Sequence, residues 1–235
     1  MASLIHPQLP LGFEPGELYT FDSFVAGSNS VAAGLAQQTA AGAGEKQLYF
    51  WGGRGLGKSH LLQASCNLAA KNQRTVCYLT RAEILNQPAD IFEGLEQLEL
   101  ICLDDLESWL TDESRETALF DLINRVREGD SYLIMASENP PDEAFIKLPD
   151  LRSRLSWGPV FQLQNLTDQE KLQALRYRAK QNGLELPENV AAYLIQRYPR
   201  DMFALFERLA VLDKASMAMQ RKLTIPLVRS VFGEE

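Results

Sequence analysis

The stretch Gly52–Ser59, GGRGLGKS, holds the residue types and spacing best suited to chemistry. Gly-x-x-x-x-Gly-Lys-Ser is the spacing of a loop that wraps a phosphate chain. Its glycines let successive backbone N–H groups curl toward an anion, and a helix beginning behind the loop adds its dipole. Lys58 then supplies a point charge to the β- and γ-phosphates, and the Ser59 hydroxyl is placed to ligate Mg2+. A second set of candidates lies in LELICLDDLE, an apolar run ending in acids. Asp104 would hold Mg2+ through water, and Asp105 would polarise an attacking water. Taken alone, this run could equally be an edge strand with solvated carboxylates. Downstream of a phosphate loop it reads as the metal-side acid pair, with Glu107 as a surface carboxylate.

These residues need elements to position them. KQLYFWG before the loop reads as a strand, and KSHLLQASCNLAAKN after it has helical periodicity. TVCYLT, LELICLDDLE and SYLIMASE read as three further strands, with helical segments such as RETALFDLINRVREG between them. A helix is expected from about Ser28. Strands alternating with helices imply right-handed βαβ units and a parallel sheet covered on both faces. Beyond about Phe161 the pattern turns all-helical. Thr167 and Glu170 stand at capping-box spacing and Gly183 closes that helix. PENVAAYLIQRYP opens with a proline near N1 and stops at Pro199, and a long amphipathic helix and a short last one follow. The expected fold is thus α/β, a parallel sheet flanked by helices, followed by a small all-α domain. The expected division is residues 1–16 as a flexible arm, 17–161 as the α/β domain and 162–235 as the helical domain.

Composition narrows the function classes. The 235 residues are 46% hydrophobic and 23% charged, ordinary for a folded soluble chain. A net charge of −8 and a pI near 5.0 argue against binding DNA through bulk electrostatics, so DNA contact is expected only through a partner. Cys66, Cys77 and Cys102 are odd in number, widely spaced and set in apolar surroundings, which reads as buried thiols in a reducing compartment. The chain has no signal-like N-terminus and no apolar run of the ~18 residues a membrane span needs. It is expected to be cytoplasmic, with no membrane partner.

With these motifs in place, the sequence resembles the AAA+ ATPases of the bacterial initiator clade, from Tyr19 onward. YTFDSFVAGSNSVAAGLA is similar to the entry segment of DnaA ATPase domains. By that resemblance Phe24 and Val25 flank the adenine, and Gly52, Gly53, Gly55, Leu56, Gly57, Lys58, Ser59 and His60 contact the nucleotide, ADP or ATP with Mg2+. YLIMASENPP resembles the sensor 1 region, which places Ser137 and Glu138 near the γ-phosphate. The initiator has Asp where Glu138 stands, and the role of Glu138 is left open. LPDLRSRLSWG resembles the box that carries the arginine finger, with Arg154 at the finger position and Arg152 its neighbour. RYPRDMFALFERL resembles the start of the sensor 2 helix, with Arg200 reaching from the lid to the phosphates in cis. Arg154, near the end of the α/β core, is expected to act on a neighbouring subunit.

The initiators continue into a DNA-binding domain, whereas this chain ends at Glu235 after the lid. It thereby resembles the Hda family, DnaA-related regulators without that domain. The resemblance implies a nucleotide-binding regulator that, bound to the polymerase sliding clamp, offers Arg154 in trans to ATP-bound DnaA. Stimulated hydrolysis there would prevent re-initiation. The family also suggests the ADP form as the active one and a weak intrinsic ATPase. The competing expectation is an ATP-driven loader or remodeller of the helicase-loader type, and a third is a replisome scaffold. A homo-oligomer is expected, as a dimer or an open filament.

One N-terminal segment fits this picture from outside the domain. HPQLPLGFEPGE carries three large apolar side chains among prolines and glycines, so it holds neither helix nor central strand. QLPLGF resembles a clamp-binding peptide. By that resemblance Gln8 bonds at a pocket rim, Leu11 and Phe13 fill a groove, and Leu9 adds contact.

Overall fold

The computed structural model describes residues 18–84, 87, 89–142 and 146–233. The clamp-peptide residues Gln8, Leu9, Leu11 and Phe13 lie outside the described residues.

Five strands form one parallel sheet: β1 (Gln47–Trp51), β2 (Val76–Leu79), β3 (Leu100–Leu103), β4 (Tyr132–Ser137) and β5 (Val160–Gln162), in the order β2-β3-β4-β1-β5. Leu48 lies opposite Ile134 and Phe50 opposite Ala136, so the register aligns the apolar side chains of neighbouring strands. Alternation sends Leu48, Phe50, Leu100, Cys102, Ile134 and Ala136 to one face. There they pack on α1 (Ser30–Ala40) and α2 (Lys58–Lys71). Tyr49, Ile101, Leu103, Leu133 and Met135 go to the other face, against α5 (Glu113–Glu128) and α6 (Pro149–Leu155). Both faces are covered, as near-continuous apolar runs in β1, β3 and β4 require. The short helices α3 (Arg81–Ile84) and α4 (Leu106–Trp109) follow the ends of β2 and β3. Cys66, Cys77 and Cys102 are all buried and unbridged, and burial pushes the Cys77 thiol up.

The strand β5 is an addition to the four expected from sequence. Its three residues are exposed or half-buried, so neither alternation nor a long apolar run marks it. Pairing of Tyr49 with Val160 and Phe50 with Phe161 gives the sheet its edge.

The all-α region contains α7 (Asp168–Gln181), α8 (Glu188–Arg197), α9 (Met202–Met219) and α10 (Ile225–Phe232) around their own core of Leu175, Leu194, Leu205, Leu209 and Val228. Local chemistry fixes the ends. The Thr167 hydroxyl accepts from the Glu170 N–H while the Glu170 carboxylate accepts from the Thr167 N–H, a complete capping box. Gly183 takes φ +72° just past α7, where only glycine is unstrained. Asp201 caps α9 by accepting from the Ala204 N–H at 2.8 Å. Pro187 is the N-cap of α8 rather than its N1 residue, because its extended ψ of 144° precedes the first helical residue, Glu188.

Candidate functional site

The loop Gly52–Gly57 leaves the C-terminal end of β1 and opens into α2 at Lys58, the place where parallel α/β sheets bind ligands. Two of its glycines are required by their surroundings. Gly57 has φ +94°, and a Cβ there would come 2.8 Å from the Phe24 ring. Gly55 has φ +80°, and a Cβ would lie 3.2 Å from the Met202 backbone nitrogen, so the loop touches the start of α9. Lys58 is only 6% exposed, and its ammonium donates to the Gly52 carbonyl at 2.6 Å and the Gly53 carbonyl at 3.0 Å. Gly52 and Gly53 thus hold the lysine from behind. The loop's cleft-lining residues are Arg54, Gly55, Leu56 and Gly57, followed by Lys58, Ser59 and His60 of α2.

Behind the loop opens a cleft of about 1680 Å³ that is continuous with solvent. One wall carries Lys58 and Ser59, and the other carries Asp104, Asp105, Glu107 and Glu138. Asp104 is 2% exposed; one carboxylate oxygen accepts from the Tyr78 hydroxyl at 2.7 Å, the other from the Asp105 N–H at 3.0 Å. Burial and the Asp104 charge push the Tyr78 phenol up. Asp105 precedes α4 in a left-handed conformation, φ 51°, which Asp tolerates better than most residues, and its side chain makes no capping bond. Its carboxyl is held above the ordinary range by burial first, then by the charges of Asp104 and Glu107, while Lys58 opposes them. A carboxyl in that setting is suited to exchange a proton.

Glu107 corrects the sequence expectation of a surface carboxylate. It is half-buried in the cleft wall and accepts from the Ser137 hydroxyl at 2.7 Å and the Glu138 N–H at 3.0 Å. It ties the end of β4 to α4. Ser137 is buried behind this bond, whereas the exposed Glu138 side chain lines the cleft.

A narrower pocket of about 500 Å³ adjoins the cleft, between the entry segment and the helical domain. Phe24, Val25, Leu166, Ala174 and Phe206 give it apolar walls, and Arg200 and Lys171 bring charge. His60 supports the entry segment. Its Nε2 lies 3.1 Å from the Ser23 hydroxyl and 3.0 Å from the Thr20 carbonyl, with Tyr19 and Phe24 edge-on to the ring. Burial, with a smaller contribution from Arg178, lowers its pKa to about 4, so the ring is neutral at pH 7. Arg200 reaches Asp168 at 3.7 Å.

Arg154 stands apart. It lines neither cavity, and its carbonyl accepts from the Gln47 side-chain amide at 2.9 Å, which places it at the start of β1. The loop leaves the other end of that strand, roughly 13 Å away at the usual rise. The guanidinium sits 3.8 Å from the Trp157 ring centroid, and its Nε donates to the Asn124 side chain at 2.9 Å. Arg127 stacks on the same indole, also at 3.8 Å. Arg152 instead donates to the Ile146 carbonyl at 2.8 Å.

Sequence reasoning missed Lys171, Phe206, Tyr78 and the Arg54–Phe203 stack (4.2 Å) that bridges loop and α9. No local motif marks them, because each meets the site through tertiary contacts. Among the described residues no helix is long and apolar enough to cross a membrane.

Comparison with known proteins adds three findings. The model for the bacterial DnaA ATPase domain matches residues 16–162, and the model for the Hda lid domain matches residues 168–232. An uncharacterized protein of Haemophilus influenzae is 39% identical over 230 residues, which is 97% of this chain and 100% of that one. Among solved structures, domain III of Thermotoga maritima DnaA superposes with a TM-score of 0.82 at 22% identity, covering 94% of this chain and 98% of that chain. DnaA from Aquifex aeolicus, bound to AMPPCP, gives 0.70 at 21% identity, covering 88% and 69%. Likeness at that identity speaks for the shared fold.

Proposed function

Since the chain belongs to the DnaA-related AAA+ proteins and carries an Hda lid, a replication-initiation regulator, we propose that it acts on DnaA while bound to the sliding clamp. In this reading it holds ADP or ATP in its own cleft and presents Arg154 to the ATP of DnaA. Hydrolysis there ends the initiator's active state and prevents re-initiation.

The observation that carries the proposal is the position of Arg154 at the strand end opposite the phosphate loop, outside its own cleft. A guanidinium so placed is available to a neighbour's transition-state charge, the role an arginine finger fills in trans. Trp157 and Asn124 fix its direction in advance, so little conformational freedom is lost when it engages.

The cleft fits a nucleotide with Mg2+. The loop's N–H groups and Lys58 match a phosphate chain, and the pocket between Phe24 and Leu166 matches a base. Ser59 and Asp104 offer the hydroxyl and carboxylate oxygens that Mg2+ prefers. Bound there, the ion would neutralise phosphate charge.

The same completeness of the cis site favours a second reading, a loader or remodeller driven by its own hydrolysis. Reconstitution separates the two. The protein, clamp on DNA and ATP-bound DnaA should together yield far more ADP than DnaA alone. Gln8→Ala or a Leu11/Phe13 double alanine should remove clamp binding and that excess, with nucleotide affinity intact. Brisk ATP turnover by the isolated protein, with no excess in the mixture, would favour the loader.

A further inference from the structure

The small pocket holds a charge that neither the phosphate loop nor the family's motifs account for. Lys171 is the fourth residue of α7, is 7% exposed and lines the pocket beside Ala174 and Leu166. Its position is unfavourable twice over. A cation near a helix N-terminus opposes the helix dipole, and a buried ammonium loses its hydration. Its compensation is thin: one ion pair to Asp168 at 3.7 Å, with a carboxylate 57% exposed and shared with Arg200 at the same distance.

Several of the pocket's other polar groups are committed inside the protein, whereas Asn165 and Arg200 line it as exposed side chains. The Ser23 hydroxyl and His60 bond each other and the Thr20 carbonyl. The Gln164 backbone is held on both sides by Asn29, and its side-chain amide donates to the Gln162 carbonyl. Lys171 is a buried donor in a pocket whose walls are largely apolar.

We propose that Lys171 is a base-reading residue, its ammonium donating to a ring-nitrogen acceptor of the adenine in a bound nucleotide. The assignment rests on the nucleotide reading of the cleft. It gives the lid, through the first turn of α7, a contact with the base in addition to the Arg200 contact expected with the phosphates. Lid position would then report the presence of a whole nucleotide, and a phosphate chain alone would not satisfy it.

The test is calorimetric titration of the full chain with Mg-ADP and, separately, with Mg-pyrophosphate. Lys171→Met, which keeps the apolar stem, should weaken ADP about tenfold, the worth of one charge-assisted hydrogen bond, and leave pyrophosphate unchanged. Asp168→Asn, which keeps the ammonium and removes its ion pair, should change ADP affinity by less than about twofold, because exposed pairs contribute little. Equal losses on ADP and pyrophosphate in Lys171→Met would make the residue a phosphate contact and overturn the assignment. Unchanged ADP affinity in that variant would overturn it too, leaving Lys171 as the partner of Asp168. Wild-type protein that binds neither ligand would sink the nucleotide reading itself, and the assignment with it.

Discussion

The two ends of the sheet are built in different ways. At the C-terminal end, one continuous run of eight residues makes the phosphate loop, and conformation does the selecting: glycines at positive φ, a buried lysine held by two carbonyls. At the N-terminal end, Arg154 is placed by residues from separate parts of the chain, Gln47 on β1, Asn124 on α5 and Trp157 after α6. The first end is a closed constellation that serves a ligand of its own. The second is a pre-aimed cation, sharing one indole with Arg127, whose chemistry depends on what docks against it. One β-strand thus separates the chain's own nucleotide from the group we assign to a partner's.

That contrast predicts separable losses. Arg154→Ala should lower the stimulated hydrolysis of DnaA-bound ATP by about a thousandfold or more, as for other trans-acting arginines, with Mg-ADP affinity unchanged by titration. Lys58→Ala should do the converse to the chain's own ligand, weakening ADP on the order of a hundredfold through loss of a charge-assisted phosphate contact.

Smaller effects sharpen the picture of the cleft. His60 should make stability fall as pH drops. Its folded pKa of about 4 lies below the unfolded value near 6.5, so the unfolded chain binds the proton first. The contribution is complete above pH 6.5 and is lost toward pH 4, with a slope approaching about 1.4 kcal/mol per pH unit between them. The difference between wild type and His60→Gln in denaturant titrations should follow that slope, and a flat difference would remove the buried-histidine account. Gly57→Ala should cost about 1–2 kcal/mol, from left-handed strain and contact with Phe24, read in the same titration. The smallest effect is at the far end. Trp157→Ala removes the indole on which Arg154 and Arg127 both stack; the Arg154 contact is worth about 0.5–1 kcal/mol, and its loss should lower stimulated hydrolysis by only a few-fold.

The parts legible in the sequence are those with short-range causes. The phosphate loop, the acid-tipped β3 and the Thr167 capping box each occupy a few consecutive residues; in the structure the loop and the acids line one cleft and the capping box is complete. The strands β1, β3 and β4 were visible because burial on both faces demands unbroken apolar runs. β5 was not, since an edge strand of three half-exposed residues carries no such demand. Glu107 reads as a surface carboxylate for a related reason: its partner Ser137 lies thirty residues away, and nothing near LDDLE signals the contact. Nothing local marks Lys171 either, because its burial arises where the lid meets the entry segment.

The central claim is that this chain's arginine acts on another protein's ATP. The most direct measurement loads DnaA with γ-labelled ATP and the protein with unlabelled ADP, joins them on clamp-bound DNA, and follows labelled phosphate in a single turnover. Rapid release with wild type, reduced to the rate of DnaA alone by Arg154→Ala, is the predicted result. Release that is unchanged by Arg154→Ala would contradict the account.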